Sequence, residues 1–156
     1  MSREPETETH GRTARYVTFR LADEIYAVDV MQIREVLRVG EIAPVPGAPS
    51  HVLGIINLRG TVVTVIDART RMGLPTRPSD EASRVIIIEG AGQVMGMLVD
   101  SVTEVVELAD SAIEPPPEVG GEEQSRYFRG VTSRQGGLTI VVDLDRLLGD
   151  AGASAA

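Results

Sequence analysis

The stretch "GIINLRGTVVTVID" (residues 54–67) holds two apolar runs with Leu58, Arg59 and Gly60 between them, and Asn57, just before, is the only Asn of the chain. Runs rich in β-branched residues read as strands, and the Gly between them marks a turn. An Arg at such a place has two explanations. Either it supports the turn, snorkelling outward or pairing with a neighbouring carboxylate, or it is a working residue. Its spacing leaves both open.

Outward from this stretch the same pattern recurs. Short β-branched runs broken by Gly and Pro predict strands at 16–21, 25–29, 35–39, 52–58, 62–67, 85–89, 94–100, 102–108, 126–132 and 138–143. So many short strands with close turn signals point to a sandwich or barrels. Helix signals are few: one turn near 30–33, one at 68–72, and a last short helix at 144–148, with Asp143 as N-cap and Gly149 as C-cap. "GLPTRPSDEAS" (73–83) reads as an internal linker, residues 1–13 as a disordered N-terminal tail and 150–156 as a disordered C-terminal tail.

The strands repeat as a unit. Shifted by about 71 residues, Asp29 falls on Asp100 and "IAPVP" (42–46) on "IEPPP" (113–117). Shifted by about 76, Gly54 falls on Gly130, Gly60 on Gly136, "VID" (65–67) on "VVD" (141–143) and Gly73 on Gly149. "IREVL" (33–37) matches "VTEVV" (102–106) between these anchors. The order of the matches predicts two copies of one five-stranded unit, each closing as a small barrel and related by approximate two-fold symmetry. Against this frame Arg59 aligns with Gln135, Asn57 with Ser133 and Leu58 with Arg134. "NLRG" then belongs to the first copy alone, which points to function rather than folding.

Composition narrows the chemistry. The 156 residues suit one domain with a real core, and 42% of them are hydrophobic. No apolar run is long enough for a membrane span, and the polar opening "MSREPETETHGRT" has no leader pattern, so a cytoplasmic protein without membrane insertion is expected. There is no Cys, which removes thiolate nucleophiles, zinc–cysteine sites and disulfides together. The net charge of −8 argues against nucleic-acid binding, which needs a basic face. Every basic residue apart from the two His is Arg, so Schiff-base and P-loop lysine chemistry is absent.

Candidate catalytic groups are sparse. "EGAGQVMG" (89–96) has the spacing G-x-G-x-x-x-G and is followed by an alternating strand pattern, so it reads as a hairpin turn rather than a dinucleotide loop. Asp29, Asp67, Asp100 and Asp143 each end an apolar run. Acid–base work or a metal site is one explanation, but their recurrence in both copies favours turn or cap acceptors. His10 lies in the tail, and His51, beside "PGAPS", is expected in a solvated loop. No hydrolase elbow, metalloprotease or zinc spacing is present, so a binding module with no metal and no cofactor is expected, with an acidic β-barrel enzyme using the aspartates as the rival.

"VPGAPSHVLGIINLRGTVVTVIDARTRMG" (45–73), with "VDVMQIREVL" (28–37), "MGMLVDSVTEVVEL" (95–108), "IEPPP" (113–117) and "GGLTIVVDLDRLL" (136–148), closely resembles the CheW family of chemotaxis coupling proteins. The resemblance covers residues 14–149, and P-x-x-P-x-x-[VI]-x-G-[IV]-x-N-L-R-G is a highly specific signature. Thr64 departs from it, standing where family members usually carry Pro inside a strand, and puts local edge pairing in doubt.

The resemblance implies a mainly β protein of two five-stranded SH3-like barrels, the first about 14–75 and the second about 82–149, with possible strand exchange between them. It implies a non-enzymatic adaptor bridging the cytoplasmic tip of methyl-accepting chemoreceptors and the histidine kinase CheA, through that kinase's CheW-like regulatory domain, recruited to membrane-associated receptor arrays. The length resembles the stand-alone adaptor rather than CheA or CheV. The same role in a chemotaxis-like pathway, such as pilus motility or development, is the alternative. Carried over to this chain, the receptor-binding positions are Ile33, Glu35, Asn57, Leu58 and Arg59. For the kinase, apolar edge strands of the second copy are expected to serve, through Val85, Ile86, Ile88, Val94 and Val99.

Overall fold

The computed structural model describes residues 12–115 and 126–155, with side chains through Gly149. All ten expected strands form, as β1 (Thr13–Leu21), β2 (Glu24–Asp29), β3 (Ile33–Arg38), β4 (Val52–Leu58), β5 (Thr61–Asp67), β6 (Arg84–Gly90), β7 (Gln93–Val99), β8 (Ser101–Ala109), β9 (Phe128–Arg134) and β10 (Gly137–Val142). Helix α1 (Ala68–Arg71) follows β5, and α2 (Leu144–Ala155) follows β10. Single 3-10 turns occupy Val30–Gln32 and Asp110–Ala112.

The strands make two five-stranded sheets: sheet I in the order β8-β1-β2-β10-β9 and sheet II in the order β3-β6-β7-β5-β4. The duplicated unit is β1–β5 with α1, repeated as β6–β10 with α2. Each sheet takes its first hairpin from one copy and its other three strands from the other. The boundaries expected near residues 75 and 82 therefore separate the copies and not the sheets. The physical reason is at Asp29 and Asp100. There the chain leaves one sheet after its hairpin and enters the other, so strand exchange is built into the unit. Within each sheet β2 meets β10, and β7 meets β5, in parallel, while the remaining neighbours are antiparallel.

Four hairpin turns begin on a left-handed residue, and in three of them a left-handed Gly follows. Ala22, Arg59, Ala91 and Gln135 all have φ between 51° and 55°, and Gly60, Gly92 and Gly136 follow the last three with φ of 89°, 74° and 80°. Two successive left-handed residues match the right-handed twist of the flanking strands, which is why Gly takes the second place. A second use of Gly is steric. A Cβ on Gly54 would lie 2.1 Å from the Ala43 carbonyl oxygen, and one on Gly130 would lie 2.4 Å from that of Glu114. At both places the incoming segment crosses over the strand and bonds to it, Ala43 with Ile55 and Glu114 with Val131.

Burial explains the two kinds of apolar pattern. The main core gathers Phe19, Tyr26, Ile66, Ile86, Ile88 and Met97 from both sheets, with Leu144, Leu147 and Leu148 of α2. Smaller clusters belong to one sheet each: Tyr16, Ala27, Val106, Leu108 and Val141 in sheet I, and Val63, Val65, Val85 and Ile87 in sheet II. Alternate residues of β6 face the two clusters, so Val85–Ile88 is continuously apolar because both faces of that strand are covered.

Three expectations change. Helix α2 does not stop at Gly149 but continues to Ala155, because its buried leucines anchor the first turns and its backbone has no need of a left-handed stop. The tail expected at 150–156 is helical through 155; of the N-terminal tail, 1–11 lie outside the described residues and Thr13 already belongs to β1. His51 is buried at 6% exposure rather than solvated, since it sits where β4 begins and its carbonyl accepts from the Asp67 amide at 2.8 Å. Thr64 lies on a strand flanked by β4 and β7, opposite Ile55, and so at no sheet edge.

Candidate functional site

Arg59 is both a turn residue and a presented one. Its left-handed backbone opens the β4–β5 turn, which Asn57 closes by accepting the Gly60 N–H on Oδ1 at 2.7 Å. The guanidinium extends away and pairs with Glu35, Nη1 to Oε1 and Nη2 to Oε2. The Arg59 side chain stays 71% exposed and that of Glu35 29%. The hydrogen bonds that Arg59 donates to Glu35, reinforced by the carboxylate's charge, raise the Arg59 pKa above its ordinary value.

Glu35 is on β3 and Arg59 at the tip of β4, and these are the two edge strands of sheet II. In a flat sheet four inter-strand steps would separate them by about 19 Å, beyond the reach of two side chains. The ion pair therefore joins edges that a strong curl has brought together. Between them lies a cleft of ≈ 470 Å³ lined by Glu35, Leu58, Arg59, Val62, Ile87 and Val94, among others. Val62 is 65% exposed, an apolar surface beside a charged pair.

Sheet I carries a counterpart. Arg134 on β9 meets Glu104 on β8, again its two edge strands, at 3.5 Å. A smaller cleft of ≈ 250 Å³ is lined there by Arg20, Ile25, Glu104, Arg134, Gln135 and Leu138, among others. The exposed apolar residues match too: Val105 answers Val36 and Leu138 answers Val62. The match between the copies sets Arg134 against Leu58 and assigns "NLRG" to the first copy alone. The pair recurs with its Arg one place earlier, and the signal was present in the matched Glu35 and Glu104.

Of the receptor-binding expectations, Glu35, Leu58 and Arg59 come together on the cleft and Asn57 holds the turn. Ile33 stands apart, half-buried and packed against the main core between the sheets. The kinase expectations fare differently. β6 and β7 are internal strands of sheet II, not edges. Val85, Ile86, Ile88 and Val99 are at most 2% exposed and so present no surface to a partner, while Val94 is half-buried in the cleft beside Leu58.

The aspartates are structural acceptors. Asp67 caps α1, taking the Arg69 amide at 3.2 Å and the Thr70 hydroxyl at 3.0 Å. Asp29 accepts from the Met31 amide and Asp143 from that of Arg146. Asp100 takes the Ala22 amide at 2.8 Å and two bonds from Arg69, at 2.9 and 2.7 Å. These bonds, led by that from Arg69, hold the Asp100 carboxyl below its ordinary value against the opposing effect of burial. Such a group is a fixed anion and not a proton shuttle. Among the described residues no group of His, Asp or Glu is placed to hold a metal ion, and no helix is long and apolar enough to cross a membrane.

The family model described as "CheW-like domain" matches residues 15–152. The chain is 32% identical over 129 residues to the chemotaxis protein CheW of Rhizobium meliloti, covering 83% of each. It is 30% identical over 142 residues to a probable chemotaxis protein CheW of Rhizobium etli, covering 90% of each. Among solved structures it resembles the scaffolding protein TtCheW of Thermoanaerobacter tengcongensis, with a TM-score of 0.80 and 36% identity over 88% of this chain and 89% of the other. A curled, duplicated β fold with the Asn57–Gly60 turn on one sheet edge, matched over nearly its whole length by these relatives, places the chain in the CheW family of chemotaxis proteins.

Proposed function

We propose that this chain is a non-enzymatic scaffold of chemotaxis signalling that couples the cytoplasmic tip of chemoreceptors to the histidine kinase CheA. It acts in the cytoplasm, at membrane-associated receptor arrays. One observation supports the receptor half most directly: a paired but exposed Arg59 stands at the rim of a cleft beside Leu58 and the exposed Val62. An apolar floor with a charged rim suits a helix laid in a groove, where apolar side chains anchor it and the charges set its register. Glu35 and Arg59 are assigned the register, Leu58 the anchor, Asn57 the turn, and Ile33 the inner end of the surface where β3 leaves the core.

Each sheet is taken as an SH3-like barrel, the two related by approximate two-fold symmetry. The edge-to-edge ion pairs, the single-sheet cores and the matched order of the strands support this. For the kinase, the buried positions of β6 and β7 give way to the exposed face of sheet I, with Val105 at 57% and Leu138 at 59% exposure. The test is a binding titration of the chain with a receptor cytoplasmic fragment, with and without a CheA fragment. Arg59→Ala is expected to weaken receptor binding about tenfold with the melting temperature unchanged. A lowered melting temperature with unchanged receptor affinity would make Arg59 a turn residue only.

A further inference from the structure

The two copies fasten the sheets together with different chemistry. In the second copy α2 runs for twelve residues after β10 and buries Leu144, Leu147 and Leu148 in the shared core. Asp145 of that helix takes the amide of the β6–β7 turn residue, Ala91, at 3.1 Å, and the Gln32 side-chain amide at 3.1 Å. In the first copy α1 has only four residues and brings only Ala68, with Met72 at its C-cap, into that core, a smaller apolar surface than the three leucines of α2.

The equivalent turn residue, Ala22, is held by Asp100, which also donates its own amide to Arg20 at 3.1 Å. Asp100 stands where the chain crosses from β7 to β8 and is gripped at two points by Arg69 of α1. Arg69 also donates to the Pro75 carbonyl at 2.8 Å, and Arg77 lies 3.8 Å from Asp100. The side chains of Arg69 and Asp100 are 12% and 11% exposed. A turn of sheet I, a crossing strand, the helix of sheet II and the 73–83 connection thus meet on one nearly buried ion pair.

We propose that Arg69 and Asp100 are a positioning pair, setting the placement of sheet I against sheet II at the joint where α1 brings the smaller apolar surface, and with it the surface around Ile33. The link to docking rests on the adaptor reading; the positioning itself does not. Two-point recognition of a carboxylate by a planar guanidinium fixes orientation as well as distance, which a point contact does not. Ile33 packs against the core between the sheets, so a loosened joint displaces it relative to sheet I.

Because the chain has no Cys, single cysteines placed at Arg15 of β1 and Arg38 of β3, both exposed, take spin labels without interference. Electron-spin distance measurement on the full chain is expected to give a narrow inter-sheet distribution. Arg69→Gln broadens it, with the far-ultraviolet circular dichroism unchanged, and weakens binding of the receptor fragment about fivefold. Asp145→Asn, at the joint that α2 holds with leucines, leaves the distribution narrow. An unchanged distribution in Arg69→Gln, or equal broadening in Asp145→Asn, overturns the positioning role. Should Arg69→Gln not fold, Arg69→Lys decides, since it retains the charge and loses the two-point grip: broadening supports the pair, no change refutes it. Broadening with unchanged receptor affinity overturns the link to docking. A wild-type chain that binds no receptor fragment at all counts against the adaptor reading, and the distance measurement still decides the positioning.

Discussion

The β4–β5 turn of sheet II and the β9–β10 turn of sheet I have the same backbone, with a left-handed residue followed by a left-handed Gly, and each joins the edges of its sheet with one Arg–Glu pair. They differ in where the Arg stands. At the first turn it is the left-handed residue itself, and its side chain is 71% exposed; at the second it is the residue before, and its side chain is 20% exposed. Moving an Arg by one position along a strand transfers it between faces. An edge-to-edge pair is present in both copies; only in the first is the cation presented outward.

The largest effects should come from breaking what the two copies share. Gly54→Ala drives a Cβ into a carbonyl at a φ of 155°, and is expected to cost about 3 kcal/mol or more in urea denaturation. Gly130→Ala meets a slightly more distant carbonyl without a left-handed backbone, and should cost about 2 kcal/mol. Equal losses would mean that backbone conformation adds nothing at Gly54.

Next come the joints, where the copies differ in kind. Asp100→Ala strands the nearly buried Arg69 and is expected to cost about 3 kcal/mol, against about 1 kcal/mol for Asp145→Ala, which removes solvent-exposed bonds from two amide donors and strands no charge. The pH dependence follows from the Asp100 carboxyl. Its pKa in the folded chain is lowered, so the unfolded chain binds the extra proton first. Its stabilisation is complete above an ordinary carboxylate pKa of about 3.9 and is lost as pH falls through the folded value. Asp100→Asn should therefore flatten the acid side of the stability profile, measured by denaturation midpoints between pH 6 and pH 2; an unaltered slope would locate the acid sensitivity elsewhere.

The smallest effect on folding should be at the turns, and there the two pairs separate. Arg134→Ala removes a pair lying down in its cleft and is expected to cost about 0.5–1 kcal/mol with receptor binding intact. Arg59→Ala should show no change in denaturation midpoint and a clear loss of receptor binding. Identical behaviour of the two variants would erase the distinction between a presented and a structural arginine.

Much of this was readable in the chain. The β-branched runs located all ten strands, since strand propensity and burial coincide in them, and the ordered Gly and Asp matches exposed the duplication. Asp29, Asp67 and Asp143 were legible as caps because a residue required at the same place in two copies answers a need of the backbone, whereas the Arg69 pairing of Asp100 was not. The burial of the positions expected to meet the kinase was not legible. A continuous apolar run such as Val85–Ile88 looks the same whether it borders the molecule or lies at its centre, and only the pairing of β6 with both β3 and β7 distinguishes these. His51 misled for a related reason, as a polar residue beside Pro and Gly that the adjoining strands enclose.

Local chemistry along the chain determined which segments are strands, where they turn and that Arg59 sits on a turn, because those depend on neighbours a few residues away. Tertiary structure alone decided which strands share a sheet, that Arg59 meets Glu35 across the two edges of one sheet, and that Arg69 reaches Asp100. Those pairings depend on sheet curl and on the crossing of the chain at Asp29 and Asp100. They join residues 24 and 31 positions apart, beyond anything a strand or turn pattern specifies.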